Sequence, residues 1–208
     1  MMNKKEWFLK ERNHIYCFAD NIDICRKLLK AGARIIQFRN KTMGNHVFYN
    51  TAKQMQSLIR SYKNVIFIVN DRVDIALQLN ADGVHIGTND PSYKKVVKET
   101  PKDMIIGISV DNEKEAAAAE NTGATYIGAG SVFPSKTKKN APVIGIAGLQ
   151  KIVHAVHIPV VAIGGISPDN LIKVKKTGIQ YLGIISAIND SPDIQTSLKN
   201  MIAIMNRG

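Results

Sequence analysis

The sequence predicts an α/β chain folded as a single (β/α)₈ TIM barrel. Three observations carry this: eight short apolar runs, helically spaced stretches between them, and glycine at the step from helix to strand. The runs are 14-HIYCFAD-20, 34-RIIQFRN-40, 65-VIFIVN-70, 83-GVHIG-87, 104-MIIGIS-109, 126-YIGAGS-131, 159-PVVAIGG-165 and 181-YLGIISA-187. They are nearly continuous in apolar character, as parallel strands are when both faces are covered. The clearest helical patterns lie at 45–62, 72–79, 113–122 and 168–177. Four strands are preceded by a shared signature: 31-AGARIIQ-37, 81-ADGVHIG-87, 123-GATYIGA-129 and 178-GIQYLGI-184. Each puts glycine where a helix would end, because a left-handed C-cap is cheapest without a Cβ. Strict strand–helix alternation favours the barrel. The other arrangement, an open doubly wound sheet, would place GxGxxG after the first strand, and the chain has none there.

Length and composition bound the rest. With 208 residues, 45% of them hydrophobic, the chain can build one large core and is not disordered. The expectation is one domain over 1–208, with 1–13 as an N-terminal extension or leading helix. No apolar run approaches the roughly 20 residues of a membrane span. The stretch MMNKKEWFLKERNHIY is charged throughout and lacks the apolar core of a secretory signal. Cys17 and Cys25 form neither a CxxC pair nor a disulfide framework, which suits reduced thiols in the cytoplasm. The net charge of +11 has two readings, solvated helix faces or attraction of anionic substrates. Scattered lysines and only 6% aromatics argue against nucleic-acid binding.

In such a barrel, chemistry belongs at the C-terminal ends of the strands. Those ends carry Gln37, Arg39 and Lys41; Asn70 and Asp71; His85 followed by 88-TND-90; Ser109; the loop 133-FPSKTKKNAP-142; 164-GG-165; and 185-ISA-187. Asp71 and Asp90, with oxygen donors Asn70 and Thr88, make an oxygen-only set of the kind Mg²⁺ uses with phosphate and water. The competing reading is that Asp71 caps the next helix. The loop 135-SKTKK-139 suits a diphosphate clamp together with Arg39 and Lys41, or is simply a solvated lysine loop. Gly164-Gly165 and Ile185-Ser186 can offer backbone N–H groups to a phosphate. His85 reads as either a satisfied core histidine or an orienting group. Two anion pockets imply two phosphorylated small-molecule ligands, one a diphosphate.

At these residues the chain closely resembles the thiamine-phosphate synthase family. The matching stretches are 37-QFRNK-41, 70-NDRVDIAL-77, 81-ADGVHIGTND-90, 106-IGIS-109, 123-GATYIGAGSVFPSKTKKNAP-142, 160-VVAIGGISPDN-170 and 184-IISAI-188. The resemblance implies a (β/α)₈ barrel in which thiazole phosphate displaces Mg²⁺-bound pyrophosphate from hydroxymethylpyrimidine diphosphate. It implies Asp71 and Asp90 as Mg²⁺ ligands. Arg39, Lys41, Asn70, Ser135, Thr137 and Lys138 would bind pyrophosphate, with Lys138, Arg39 and Ser109 closest to the chemistry. Gln37 and Ser109 would hold the pyrimidine. Gly165, Ile185 and Ser186 would hold the thiazole phosphate. No protein nucleophile is required, because the pyrimidinylmethyl cation is resonance-stabilised; catalysis is positioning plus electrostatics.

Four positions depart from the family pattern. Asn40 stands for the usual glutamate, Ser131 for a common proline and Ser135 for threonine; Asp111 stands where histidine is usual. A related thiazole tautomerase relies on that histidine and tends to lose the Asn-Asp pair and the strand-4 aspartate; this chain lacks the histidine and keeps Asn70, Asp71 and Asp90. A Schiff-base aldolase barrel needs a strand-end lysine, and strand 6 ends in GAGS. A non-catalytic phosphate-binding barrel is the remaining alternative. The oligomeric state, homo-oligomer or monomer, stays open.

Overall fold

The computed structural model describes residues 3–87, 93–135 and 142–207. Eight parallel strands close on themselves: β1 (His14–Ala19), β2 (Ile35–Phe38), β3 (Ile66–Asn70), β4 (Gly83–Ile86), β5 (Ile105–Val110), β6 (Tyr126–Ala129), β7 (Val160–Ile163) and β8 (Tyr181–Ile184). Seven fall inside the apolar runs, β5 runs one residue past its run to Val110, and β8 pairs back onto β1 with Tyr16 opposite Gly183. The helices are α1 (Lys4–Lys10), α2 (Ile22–Lys30), α3 (Asn45–Arg60), α4 (Val73–Gln78), α5 (Tyr93–Glu99), α6 (Glu113–Thr122), α7 (Gly145–Ala155), α8 (Leu171–Lys175), α9 (Ser186–Asn189) and α10 (Ile194–Arg207). Among the described residues, no helix is long and apolar enough to cross a membrane.

The helix-to-strand glycines behave as expected at three of four places. Gly32, Gly123 and Gly178 all have positive φ. The fourth signature needs correction: the left-handed residue after α4 is Asn80, and Gly83 already belongs to β4. Gly83 serves close packing instead, since a Cβ there would lie 2.4 Å from the Ile105 carbonyl oxygen.

Two apolar cores result. One fills the space between sheet and helices. The other lies inside the barrel and gathers Trp7, Phe8, Tyr16, Phe18, Ile35, Ile66, Ile68, Ile105, Tyr126, Val161 and Tyr181. Trp7 and Phe8 come from α1, which seals the N-terminal mouth. Phe8 stacks on Tyr181 at 4.7 Å and leans on Tyr126 at 5.0 Å. The Tyr181 hydroxyl donates to the Phe8 and Glu11 carbonyls, and Lys4 pairs with Asp82 at 2.7 Å. With one end filled, the interior opens only toward the C-terminal rim.

Candidate active site

Alternation along the strands decides which side chains reach the rim. Counting inward from the core residues, β2 presents Ile35, then Gln37, and Arg39 just beyond it. β3 presents Ile66, Ile68 and Asn70, and β4 presents His85. β5 presents Ile105, Gly107 and Ser109. The register places Asn70 beside His85, His85 beside Gly107 and Ser109 beside Gly128.

Of these, Gln37, Arg39, Asn70, His85, Ser109 and Gly128 line a cavity of roughly 190 Å³, together with Tyr16, Phe18, Lys41, Asp71, Asp111 and Tyr126. A smaller cavity of about 50 Å³ adjoins it. Ser131, Ser135, Gly164, Gly165, Ile185 and Ser186 help to line that one, while Arg39 and Ile163 belong to both. Arg39 is therefore a shared wall. Burial lowers its pKa, and the nearby Asp71 carboxylate acts in the opposite sense, toward the charged form.

Asp71 has φ of 61°, a left-handed conformation. This is uncommon outside glycine, though aspartate tolerates it better than most residues. The Asp71 N–H donates to the His85 carbonyl at 2.9 Å, and the Arg72 N–H turns back to the Asn70 carbonyl at 2.7 Å. The chain thus folds sharply at the end of β3. Lys41 Nζ approaches the Asp71 carboxylate at 4.0 Å. The capping reading fails: the N-cap of α4 is Arg72, and no side chain caps that helix. Arg72 instead fixes the loop, with its guanidinium donating to the Asn45 side chain and to the Met43 carbonyl, over the Phe48 ring.

Beneath the rim, a buried chain of hydrogen bonds crosses the barrel. Gln37 Nε2 donates to the Tyr16 hydroxyl at 3.0 Å, and the Tyr16 and Tyr126 hydroxyls meet at 2.7 Å. His85 Nδ1 lies 2.9 Å from the Tyr126 hydroxyl, and its Nε2 lies 2.9 Å from Ser109 Oγ. Burial pushes the pKa of both tyrosines up, so both stay neutral. Both ring nitrogens of His85 thus have partners within the network. Sequence reading missed Tyr16 and Tyr126 as site residues. Their signal was inward position on β1 and β6, which tyrosines in an apolar run do not announce.

The smaller cavity is built from backbone. Gly164 and Gly165 have φ of 102° and 65°. The Val132 and Phe133 N–H groups donate to the Ile163 and Gly164 carbonyls, tying the β6 loop to the end of β7. Asn170 Nδ2 holds the Gly165 carbonyl at 2.9 Å. Ser135, expected beside the pyrophosphate binders, sits here with Arg39. Gln37, Arg39, Lys41, Asn70, Asp71 and Ser109 come together as expected, as do Gly165, Ile185 and Ser186. Asp90, Thr137 and Lys138 lie outside the described residues.

Fold and rim define a class: a (β/α)₈ barrel with paired polar cavities at the C-terminal ends of its strands. Comparisons narrow it. The family model described as thiamine monophosphate synthase matches residues 12–188. A thiamine-phosphate synthase from Pyrococcus furiosus is 42% identical over 202 residues, covering 95% of this chain and 97% of that protein. One from Clostridium novyi is 42% identical over 198 residues, covering 95% and 93%. The solved structure of a thiamine phosphate pyrophosphorylase from Pyrococcus furiosus superposes with a TM-score of 0.86 at 39% identity, covering 98% of this chain and 96% of that one. The chain belongs to the thiamine monophosphate synthase family.

Proposed function

We infer that this chain joins hydroxymethylpyrimidine diphosphate to hydroxyethylthiazole phosphate, releasing pyrophosphate and forming thiamine monophosphate. It acts in the cytoplasm, where its two buried cysteines stay reduced. The observation that carries the reading is Arg39, set between two adjoining cavities of unequal size. The larger takes the pyrimidine and its diphosphate; the smaller takes the thiazole phosphate on backbone N–H groups. Gln37 and Ser109 orient the pyrimidine edge, while Arg39, Lys41 and Asn70 hold the departing diphosphate.

The donor set suits Mg²⁺. Asp71 offers a carboxylate at the rim, with the Asn70 side chain beside it in the same lining. Mg²⁺ binds through one or two carboxylates and completes its shell with phosphate and water. Asp71 and Asp90 would hold it, and when bound it neutralises charge on the leaving diphosphate. Arg39 and Lys41 add fixed positive charge to the same place, so the pyrimidinylmethyl C–O bond breaks with little reorganisation. Phe18 and Ile163 keep the cavity partly apolar, which strengthens those contacts.

The test is to mix purified protein with both precursors, with and without Mg²⁺, and follow pyrophosphate and thiamine monophosphate. Equimolar release of both, dependent on Mg²⁺, is expected. Isomerisation of tautomeric thiazole carboxylate phosphate without coupling would overturn the reading in favour of a tautomerase.

A further inference from the structure

The hydrogen-bonded chain Gln37–Tyr16–Tyr126–His85–Ser109 runs along the floor of the cavity, and its first three members are shut away from bulk solvent. Gln37, Tyr16 and Tyr126 are 2%, 1% and 0% exposed. The neighbouring strands are emptied to admit the rings. A Cβ on Gly107 would lie 2.1 Å from Tyr126 Cζ, and one on Gly128 would lie 2.9 Å from His85 Cε1. Each hydroxyl in such a place has one proton and must find an acceptor for it, since an unpaired buried donor loses its hydration without replacement.

That constraint sets a direction. The Gln37 amide donates to Tyr16, so Tyr16 has its own proton to give, and the acceptor within reach is the Tyr126 oxygen. In that direction Tyr126 has its own proton to give, and His85 Nδ1, 2.9 Å away, is the acceptor it meets. A neutral His85 then carries its proton on Nε2 and donates to Ser109 Oγ. Ser109 is left with a hydroxyl proton to offer the cavity, and Gln37 with a carbonyl oxygen.

We propose that Tyr16, Tyr126 and His85 form a one-way relay that locks opposite polarities onto Gln37 and Ser109. The cavity therefore takes a ring edge with a donor beside an acceptor, the pattern of an amino group next to a ring nitrogen. The choice of ligand rests on the function inferred above; the relay itself rests on the hydrogen bonds. The three are positioning residues, and the two ends make the polar contacts to the ring edge. An oxo-pyrimidine presents the reversed pattern and would leave both ends unpaired.

The experiment reads the protonation of His85 directly, by two-bond ¹H–¹⁵N correlation in histidine-labelled protein at about pH 8, above the usual imidazole range. Loss of one signal set in His85→Gln assigns it among the five histidines. The parent is expected to show a proton on Nε2 and a bare Nδ1; a neutral Nδ1–H form overturns the proposal, whatever the variants do. Gln37→Glu replaces the donor with a carboxylate that only accepts, so the relay should reverse and Nδ1 should gain a proton. No change at Nδ1 overturns the proposal, as does the same change appearing when Tyr126→Phe has cut the relay. In calorimetric titration, 4-amino-5-hydroxymethyl-2-methylpyrimidine should bind at least about tenfold more tightly than its 4-oxo counterpart, the factor expected for unpaired polar ends. Equal binding sinks the polarity rule. If the tautomer moves as expected but the coupling assay is blank, the inferred reaction fails while the relay stands.

Discussion

Replacing Gly165 by alanine tests the two-cavity arrangement sharply. The residue has φ of 65°, where an L side chain costs about 1–2 kcal/mol. The added Cβ would also lie 2.6 Å from the Pro134 carbonyl oxygen and 2.7 Å from Phe133 Cβ. Both neighbours belong to the β6 loop, which is tied to the end of β7 by the Phe133 N–H. Neither can swing aside as a flexible side-chain tip would. Overpacking of this kind costs about 1–3 kcal/mol. Relief comes when the loop or the 164–165 turn shifts, and either movement breaks the backbone cradle. Each 1.4 kcal/mol falling on the bound state is about tenfold in affinity. The expected result is a KM for thiazole phosphate raised by at least about tenfold, with the KM for pyrimidine diphosphate held within about twofold. Initial rates with each substrate varied in turn supply both numbers. If thiazole phosphate binding is unaffected and the other substrate suffers, the cavities have been assigned the wrong way round.

Other outcomes follow from the same geometry. Asp71→Asn keeps the shape of the turn but removes the rim carboxylate, so coupling should fall about a hundredfold and respond less to Mg²⁺; full turnover across an Mg²⁺ titration would refute its role. Phe8→Ala empties the plug between Tyr126 and Tyr181 and should cost about 3–5 kcal/mol in urea unfolding; a loss under about 1 kcal/mol would mean that α1 is dispensable. Burial pushes Cys17 and Cys25 up to about 12 from an ordinary value of 9.0. Above pH 9 the unfolded chain loses those protons while the folded chain keeps them, so stability should fall as pH rises from 9 to 12. Urea midpoints measured across that range decide the point, and a flat profile contradicts it.

The strands were legible because a parallel sheet covered on both faces leaves continuous apolar runs, and each strand coincides with one, β5 overrunning its own only by Val110. Helices were less so. The α7 sequence GIAGLQKIVHA carries two glycines, poor helix formers, and packing of Leu149 and Ile152 holds it in place. The α1 sequence offers little beyond Trp7 and Phe8 as an apolar signal, and nothing local says that they enter a barrel. At the site, charge and amide groups at strand ends announced themselves. The relay did not, because it depends on strand register: Tyr16 and Tyr126 are 110 positions apart and meet only when the sheet closes.

The plug has a consequence for how the chain comes to be made. Phe8 leaves the ribosome well before Tyr181, on which it stacks and which opens β8. The hydroxyl that holds the Phe8 carbonyl comes from 173 positions downstream. Helix α1 therefore waits without its berth until β8 has been made, and the barrel gains its floor in the same step that closes its wall.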